Sequence, residues 1–165
     1  MEQKVELEQG IVLKTIDYQE NSKIIYLLAN KGIVSAVVRG AKNLKSHTYS
    51  YAQPLVKIEF ELKKDRYIGA NKILDNYNNI KLNFDKLSVS LKIIEICYTL
   101  GEHITDSELF YSFVNDILDN INNTNDGLGE LQGFYEELQS YVNNYFENLD
   151  VQEEINNKLD EMASD

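Results

Sequence analysis

The stretch VVRGAKNLKSHTYSYAQPL, residues 37–55, gathers Arg39, Lys42 and Lys45 without a single carboxylate, in a chain whose formal net charge is -11. Arg39 carries a planar fork of donors that matches a phosphate bidentately, while Lys42 and Lys45 offer point charges. Gly40 and Ala41 keep the loop slim, so that its backbone can approach a strand closely. Ser46, Thr48 and Ser50 are hydroxyl donors for phosphate oxygens, and Tyr49 and Tyr51 have flat faces for unpaired bases. Together these residues read as a phosphate and base contact surface. The bland alternative is a solvated loop whose lysines serve only solubility.

The total charge conceals an asymmetry. Residues 1–80 hold 12 Lys/Arg against 9 Asp/Glu, a net of +3, whereas residues 81–165 hold 4 against 18, a net of -14. Like charges repel, so the acidic half is a poor companion for a phosphate backbone, and the nucleic-acid reading concerns the first half alone. Lys31, in the turn Asn30-Lys31-Gly32, extends the candidate patch, although Asn-Lys-Gly is also ordinary turn chemistry. Lys63, Lys64 and Arg66 form a second cationic turn, diluted by Asp65 and Glu61. Lys14, Lys23 and Lys57 lie on predicted strands.

The remaining reactive side chains form no catalytic set. Cys97, the single cysteine, falls beside the apolar stripe of a predicted helix, where a buried thiol is commonplace. With only His47 and His103 for company it makes neither a disulfide nor a zinc site of the usual composition. The pairs Glu136-Glu137 and Glu153-Glu154 are adjacent on predicted exposed helix faces and do not converge. GLGELQG lacks the strand and spacing of a dinucleotide loop. A non-enzyme without metal or cofactor is expected. MEQKVELEQG has no apolar h-region, and no apolar run approaches a membrane span, so a soluble cytoplasmic protein is expected.

The elements that must position these residues change period midway. GIVLKTIDY, NSKIIYLLAN, GIVSAVV, LVKIEFELKK and RYIGANKIL read as five strands, with Asn30-Lys31-Gly32 closing a hairpin. On the first strand, Val12, Lys14, Ile16 and Tyr18 are expected on one face, and Ile11, Leu13 and Thr15 on the other. Five strands in such a short span suit a small OB-type barrel, with a turn of helix expected in YSYAQPL after the third strand. Beyond Asn79 the spacing turns helical: Phe84, Leu87, Leu91, Ile94 and Tyr98 in one helix, then Leu109, Phe113, Ile117 and Ile121 after a capping Thr105-Asp106-Ser107-Glu108. Leu131, Phe134, Leu138, Tyr141, Tyr145 and Leu149 mark a third, and VQEEINNKLDEM a short fourth. The helical aromatics, among them Phe110, Tyr111, Phe113, Phe134, Tyr135 and Phe146, are spaced as core. The expected fold is α+β: an OB-fold domain over 1–78 and an acidic helical domain over 79–165.

Three blocks in order, GIVLKTIDYQENSKII, KGIVSAVVRGAKNLKS and QPLVKIEFEL, resemble the start of the bacterial RecO family of recombination mediators. The resemblance continues more weakly to about residue 120. It implies an OB barrel followed by helices, binding of single- and double-stranded DNA through the barrel, and annealing of complementary strands. It also implies contacts with RecR, with single-strand-binding protein and with RecA, in the bacterial cytoplasm and nucleoid. Family members continue into a Gly-Tyr-x-Pro segment and zinc-holding cysteine pairs, neither of which occurs in this sequence. The DNA-binding set expected here is Lys31, Arg39, Lys42, Lys45, Ser46, Tyr49 and Tyr51. The rival is an interaction protein, in which the acidic helices bind a basic repair partner and the barrel is only a scaffold.

Overall fold

A computed structural model describes residues 7–125, 127–145 and 157. Five antiparallel strands form one sheet: β1 (Glu8–Tyr18), β2 (Ser22–Ala29), β3 (Gly32–Val38), β4 (Lys57–Leu62) and β5 (Ile68–Asp75), in the order β3-β2-β1-β4-β5. The strands are β-branched and aromatic because such side chains pack well on a pleated, half-buried surface. The sheet curls until its two edges meet at one parallel bridge, Val37 with Tyr67. This is the partly closed OB-type barrel expected from the pattern. Between β2 and β3 only Asn30 and Lys31 form the loop, and Gly32 takes φ +111°, where a side chain would be strained. After β3 comes α1 (His47–Tyr51), slightly upstream of the expected turn because Ser46 caps it through its hydroxyl.

Strand β1 buries both faces. Val12 joins Ile25, Leu27, Ile58 and Phe60 inside the barrel. Ile11 and Leu13 point the other way and share a second core with Leu28, Leu55 and the helices. The strict alternation expected along β1 breaks at an irregularity between Val12 and Lys14. Lys14 therefore lies beside the helices, its ammonium 4.6 Å from the ring centre of Tyr98, rather than with Val12.

Among the described residues the barrel is followed by α2 (Asn78–Lys81), α3 (Phe84–Leu100), α4 (Ser107–Asn123) and α5 (Leu128–Tyr145). The stripe expected on α3 is covered in part: Ile94 is buried and Leu87 and Tyr98 pack against the core, whereas Phe84 and Leu91 are 82% and 44% exposed, and the buried arc widens to Val89, Ile93, Ile96, Cys97 and Leu100. Apolar residues surround this helix, because β1 packs on one side and α5 on another, and its period alone does not say which arc is covered. On α4, Asp106 caps the helix through a side-chain oxygen that accepts from Leu109 N–H. Ile117 and Ile121 are buried as expected, whereas Leu109 is exposed and Phe110, Tyr111, Val114 and Leu118 complete the core. Leu131 and Leu138 on α5 are buried with Tyr135 and Val142, and Phe113 stacks on Tyr141 at 4.7 Å between ring centres. Of the helical aromatics expected as core, Phe110, Tyr111 and Tyr135 are buried, and Phe113, Phe134 and Tyr141 pack against the same cluster. Leu149, Phe146 and the expected fourth helix, apart from the helical Asn157, lie outside the described residues. Among the described residues no helix is long and apolar enough to cross a membrane.

Polar ties hold helices and barrel together. Lys86, only 7% exposed, donates from its ammonium to the carbonyls of Thr124 at 2.5 Å and Asn122 at 3.4 Å, closing the C-terminal end of α4. A cation there meets the negative end of the helix dipole as well as two carbonyls left without helical partners. Lys57 on β4 donates to Asn115 Oδ1 at 3.0 Å, and Ser107 donates to the carbonyl of Asn30 at 2.7 Å. Near Lys57, burial raises the pKa of Asp119, Asp75 and Asp116 raise it further, and Lys57 opposes them.

Replacing Lys86 with Ala removes its bonds to those two partly buried carbonyls, at a cost of about 1–3 kcal/mol. Chemical denaturation should show that loss, while exposed Lys72→Ala should leave stability unchanged. Asp119 holds its proton more tightly folded than unfolded, so its contribution is present below the usual carboxylate range and lost as pH rises through the folded value. Asp119→Asn should therefore be at least as stable at pH 7, with a flatter rise in melting temperature on acidification.

Candidate nucleic-acid interface

Barrel closure determines what the cationic loop meets. The bridge between Val37 and Tyr67 leaves Arg39, two residues further on, beside the turn that enters β5. Its guanidinium carbon lies 3.9 Å from the centre of the Tyr67 ring, a close cation–π contact. The turn is built by Lys63 N–H donating to the Tyr67 carbonyl at 2.8 Å around a short 3-10 turn, Lys64–Arg66. Gly69 leaves room for the aliphatic stem of Lys63, which any Cβ at that position would strike. The result is an open concavity of about 370 Å³ lined by Arg39, Thr48, Tyr51, Lys63, Lys64, Tyr67 and Ile68. Three of these side chains are cationic, and none of the described lining residues is acidic.

The remaining expected residues occupy distinct places. Lys42 does not reach outward: its ammonium donates to the carbonyl of Gln19 at 2.6 Å, and its N–H bonds the carbonyl of Asn21, tying the loop to the β1–β2 turn. Lys45 is exposed at the loop tip. Ser46 is spent as the cap of α1, accepting from Thr48 N–H and sharing a 2.8 Å hydrogen bond with the Thr48 hydroxyl. Tyr49 is half-buried, with the Lys23 ammonium 5.4 Å from its ring centre. Tyr51, expected to stack on bases, is instead 6% exposed and packs with Ala41, Ala52 and Val56 in the barrel core. A short amphipathic helix over a barrel must bury one face, and Tyr51 is on it. Exposed Lys31 stands at the other end of the β2–β3 hairpin, 3.8 Å from Glu8. Seven residues of β3 separate it from the loop, about 20 Å at the usual strand rise. Arg39 and Lys45 therefore share the loop surface, while Lys31 does not.

Sequence reasoning ranked Lys63 and Lys64 below the loop and passed over Tyr67. No local signal pairs them with Arg39, because the pairing arises from closure of the sheet edges. Lys14 and Lys57, both on strands, face the helices instead. Cys97 is fully buried in the helical core, and burial pushes its thiol pKa up, which makes it inert as a nucleophile.

Lys42→Ala should loosen the loop with little global cost. Amide exchange at Asn43 and Ser46 should accelerate, and the melting temperature should fall only slightly.

Residues 1–74 match the family described as Recombination protein O N terminal. The chain is also similar to curated proteins named DNA repair protein RecO, three of which illustrate the match. That of Clostridium novyi is 30% identical over 111 residues, covering 64% of this chain and 43% of the relative. That of Exiguobacterium sibiricum is 26% identical over 118 residues, covering 68% and 47%. That of Acetivibrio thermocellus is 29% identical over 113 residues, covering 66% and 45%. The chain spans less than half the length of these relatives. The resemblance to RecO found in the sequence is thereby shown, and it extends past the barrel into the helices.

Proposed function

From the premise that residues 1–74 are a RecO-type N-terminal domain, we propose that this protein acts in DNA repair and recombination by binding DNA without catalysis. The observation that carries this is the cation-lined concavity, Arg39 with Lys63 and Lys64, set in a molecule of net charge -11. Like charges close together repel one another. Three cations around one hollow in so acidic a chain are best accounted for by an anionic partner.

The mechanism is electrostatic. Phosphates lodge against Lys63, Lys64 and Lys45, and each neutralised phosphate releases condensed counterions. Complementary strands gathered on barrels in this way pair by their own hydrogen bonding, which is annealing. The barrel over 1–78 is the DNA-binding unit, and the acidic helices over 79–165 stand off from the phosphates. Contacts with RecR, single-strand-binding protein and RecA belong to the same proposal, as does a place in the bacterial cytoplasm.

One observation favours the rival reading, in which the helices bind a protein. Leu82 and Phe84, at the junction of α2 and α3, are 86% and 82% exposed, an adjacent apolar pair on the acidic unit.

Titration of fluorescent DNA across a range of salt tests the proposal. The wild type should bind with a steep inverse salt dependence. Lys45→Ala/Lys63→Ala/Lys64→Ala should lower the slope of log K against log salt by about 2–3, at nearly one unit per lost phosphate contact. Absence of binding at low salt, with protein partners lost on Leu82→Ser/Phe84→Ser, would establish the rival instead.

A further inference from the structure

Phosphate contacts alone do not distinguish single strands from duplex, and duplex is the denser array of charge. The concavity holds something more selective. The guanidinium carbon of Arg39 lies over the Tyr67 ring, 3.9 Å from its centre, a separation suited to stacking of a planar cation, and Arg39 is itself exposed. One face of a planar cation is thus backed by an aromatic ring, and the other is available to a second flat group. Lys63, Lys64 and Thr48 line the same hollow. At about 370 Å³ the hollow falls near the lower end of ligand pockets, which run ~300–1,000 Å³. That is room for one nucleotide and too little for a base pair with both its backbones.

The parts are held before any ligand arrives. The Val37–Tyr67 bridge sets the spacing of the two stacked side chains, and Lys63 N–H fixes the Tyr67 carbonyl. Lys42 pins the loop to Gln19, and Ser46 caps the helix that carries Thr48 and Tyr51. Little ordering is left for the moment of binding, which favours affinity.

We propose that this concavity is a pocket for one unpaired nucleotide. Its base stacks on the outer face of the Arg39 guanidinium, which is seated on Tyr67, and its flanking phosphates meet Lys63 and Lys64. The pocket deepens the DNA-binding reading above and rests on it. In a duplex both faces of every base are covered by neighbours, so paired DNA touches only the lysine rim. The pocket therefore gives the barrel its preference for single strands. It assigns the stacking role to Arg39 and Tyr67, with Tyr51 left in the core.

The test compares a short single-stranded oligonucleotide, the same strand with one abasic position moved along it, and the matching duplex, all by fluorescence anisotropy at one salt concentration. Arg39→Lys keeps the charge and removes the planar face. It should weaken single-strand binding by roughly 5- to 30-fold, in the lower range for one lost stacked base, and leave duplex binding within about twofold. An abasic position at the stacked site should weaken the wild type by a similar factor and leave Arg39→Lys unaffected. Two results overturn the pocket while sparing DNA binding itself. One is equal weakening of both DNA forms by Arg39→Lys. The other is wild-type affinity that ignores abasic positions, which needs no variant to fold. Absence of salt-dependent binding by the wild type would remove the DNA reading and the pocket together.

Discussion

Burial of Ile11, Leu13 and Leu28 against the helices is the contact on which the remaining architecture depends. These side chains lie on the outside of a barrel whose interior is already filled by Val12, Ile25, Leu27, Ile58 and Phe60. A strand with two apolar faces needs two covers, as in sheets buried on both sides. The helices supply the second cover, and α3 makes more contact with β1 than with any other strand. Seating them there also sorts the charge. Helices α3 and α4 of the acidic half are held against β1, β2 and β3, and the hollow bearing Arg39, Lys63 and Lys64 is lined by the loop, α1, the β4–β5 turn and the start of β5.

Closure of the barrel does the complementary work. Because β3 and β5 meet at Val37 and Tyr67, two cationic segments far apart in the chain share one rim. Mutual repulsion among exposed cations is modest in water and screened by salt, so the fold tolerates the cluster. Its ordering comes from uncharged contacts: a guanidinium on a ring, a backbone hydrogen bond across the turn, and an ammonium bound to a carbonyl. Lys42 and Lys45 show how differently neighbouring lysines are used, one to anchor the loop and the other left in solvent.

The join between barrel and helices holds a residue in strained backbone. Tyr77, in the connection between β5 and α2, adopts φ 51° and is fully buried, with Asp75 accepting its backbone N–H at 2.7 Å. Left-handed backbone is unfavourable for an aromatic residue and persists where its surroundings over-determine it. The hydroxyls of Tyr77 and Tyr111 have no hydrogen-bond partner among the described residues, and burial raises both their pKa values. Lys57, Asn115 and Asp119 lie in the same region, so the junction is a polar seam between two apolar cores.

By itself the sequence determined the order of five strands and the helices after them, the hairpin at Gly32, the cap at Asp106 and the separation of basic from acidic halves. Each is written in local period or composition, so a short window suffices. The resemblance to RecO was legible for the same reason, in three ordered blocks. Which arc of α3 is covered was not legible, since its apolar residues surround the axis and only the positions of β1 and α5 select Ile93 over Phe84. Nor was the break in alternation at Lys14, nor the burial of Tyr51. The partnership of Arg39 with Tyr67, Lys63 and Lys64 was decided by tertiary structure alone, because a curled sheet brings its edges together across sequence separations that no local pattern encodes.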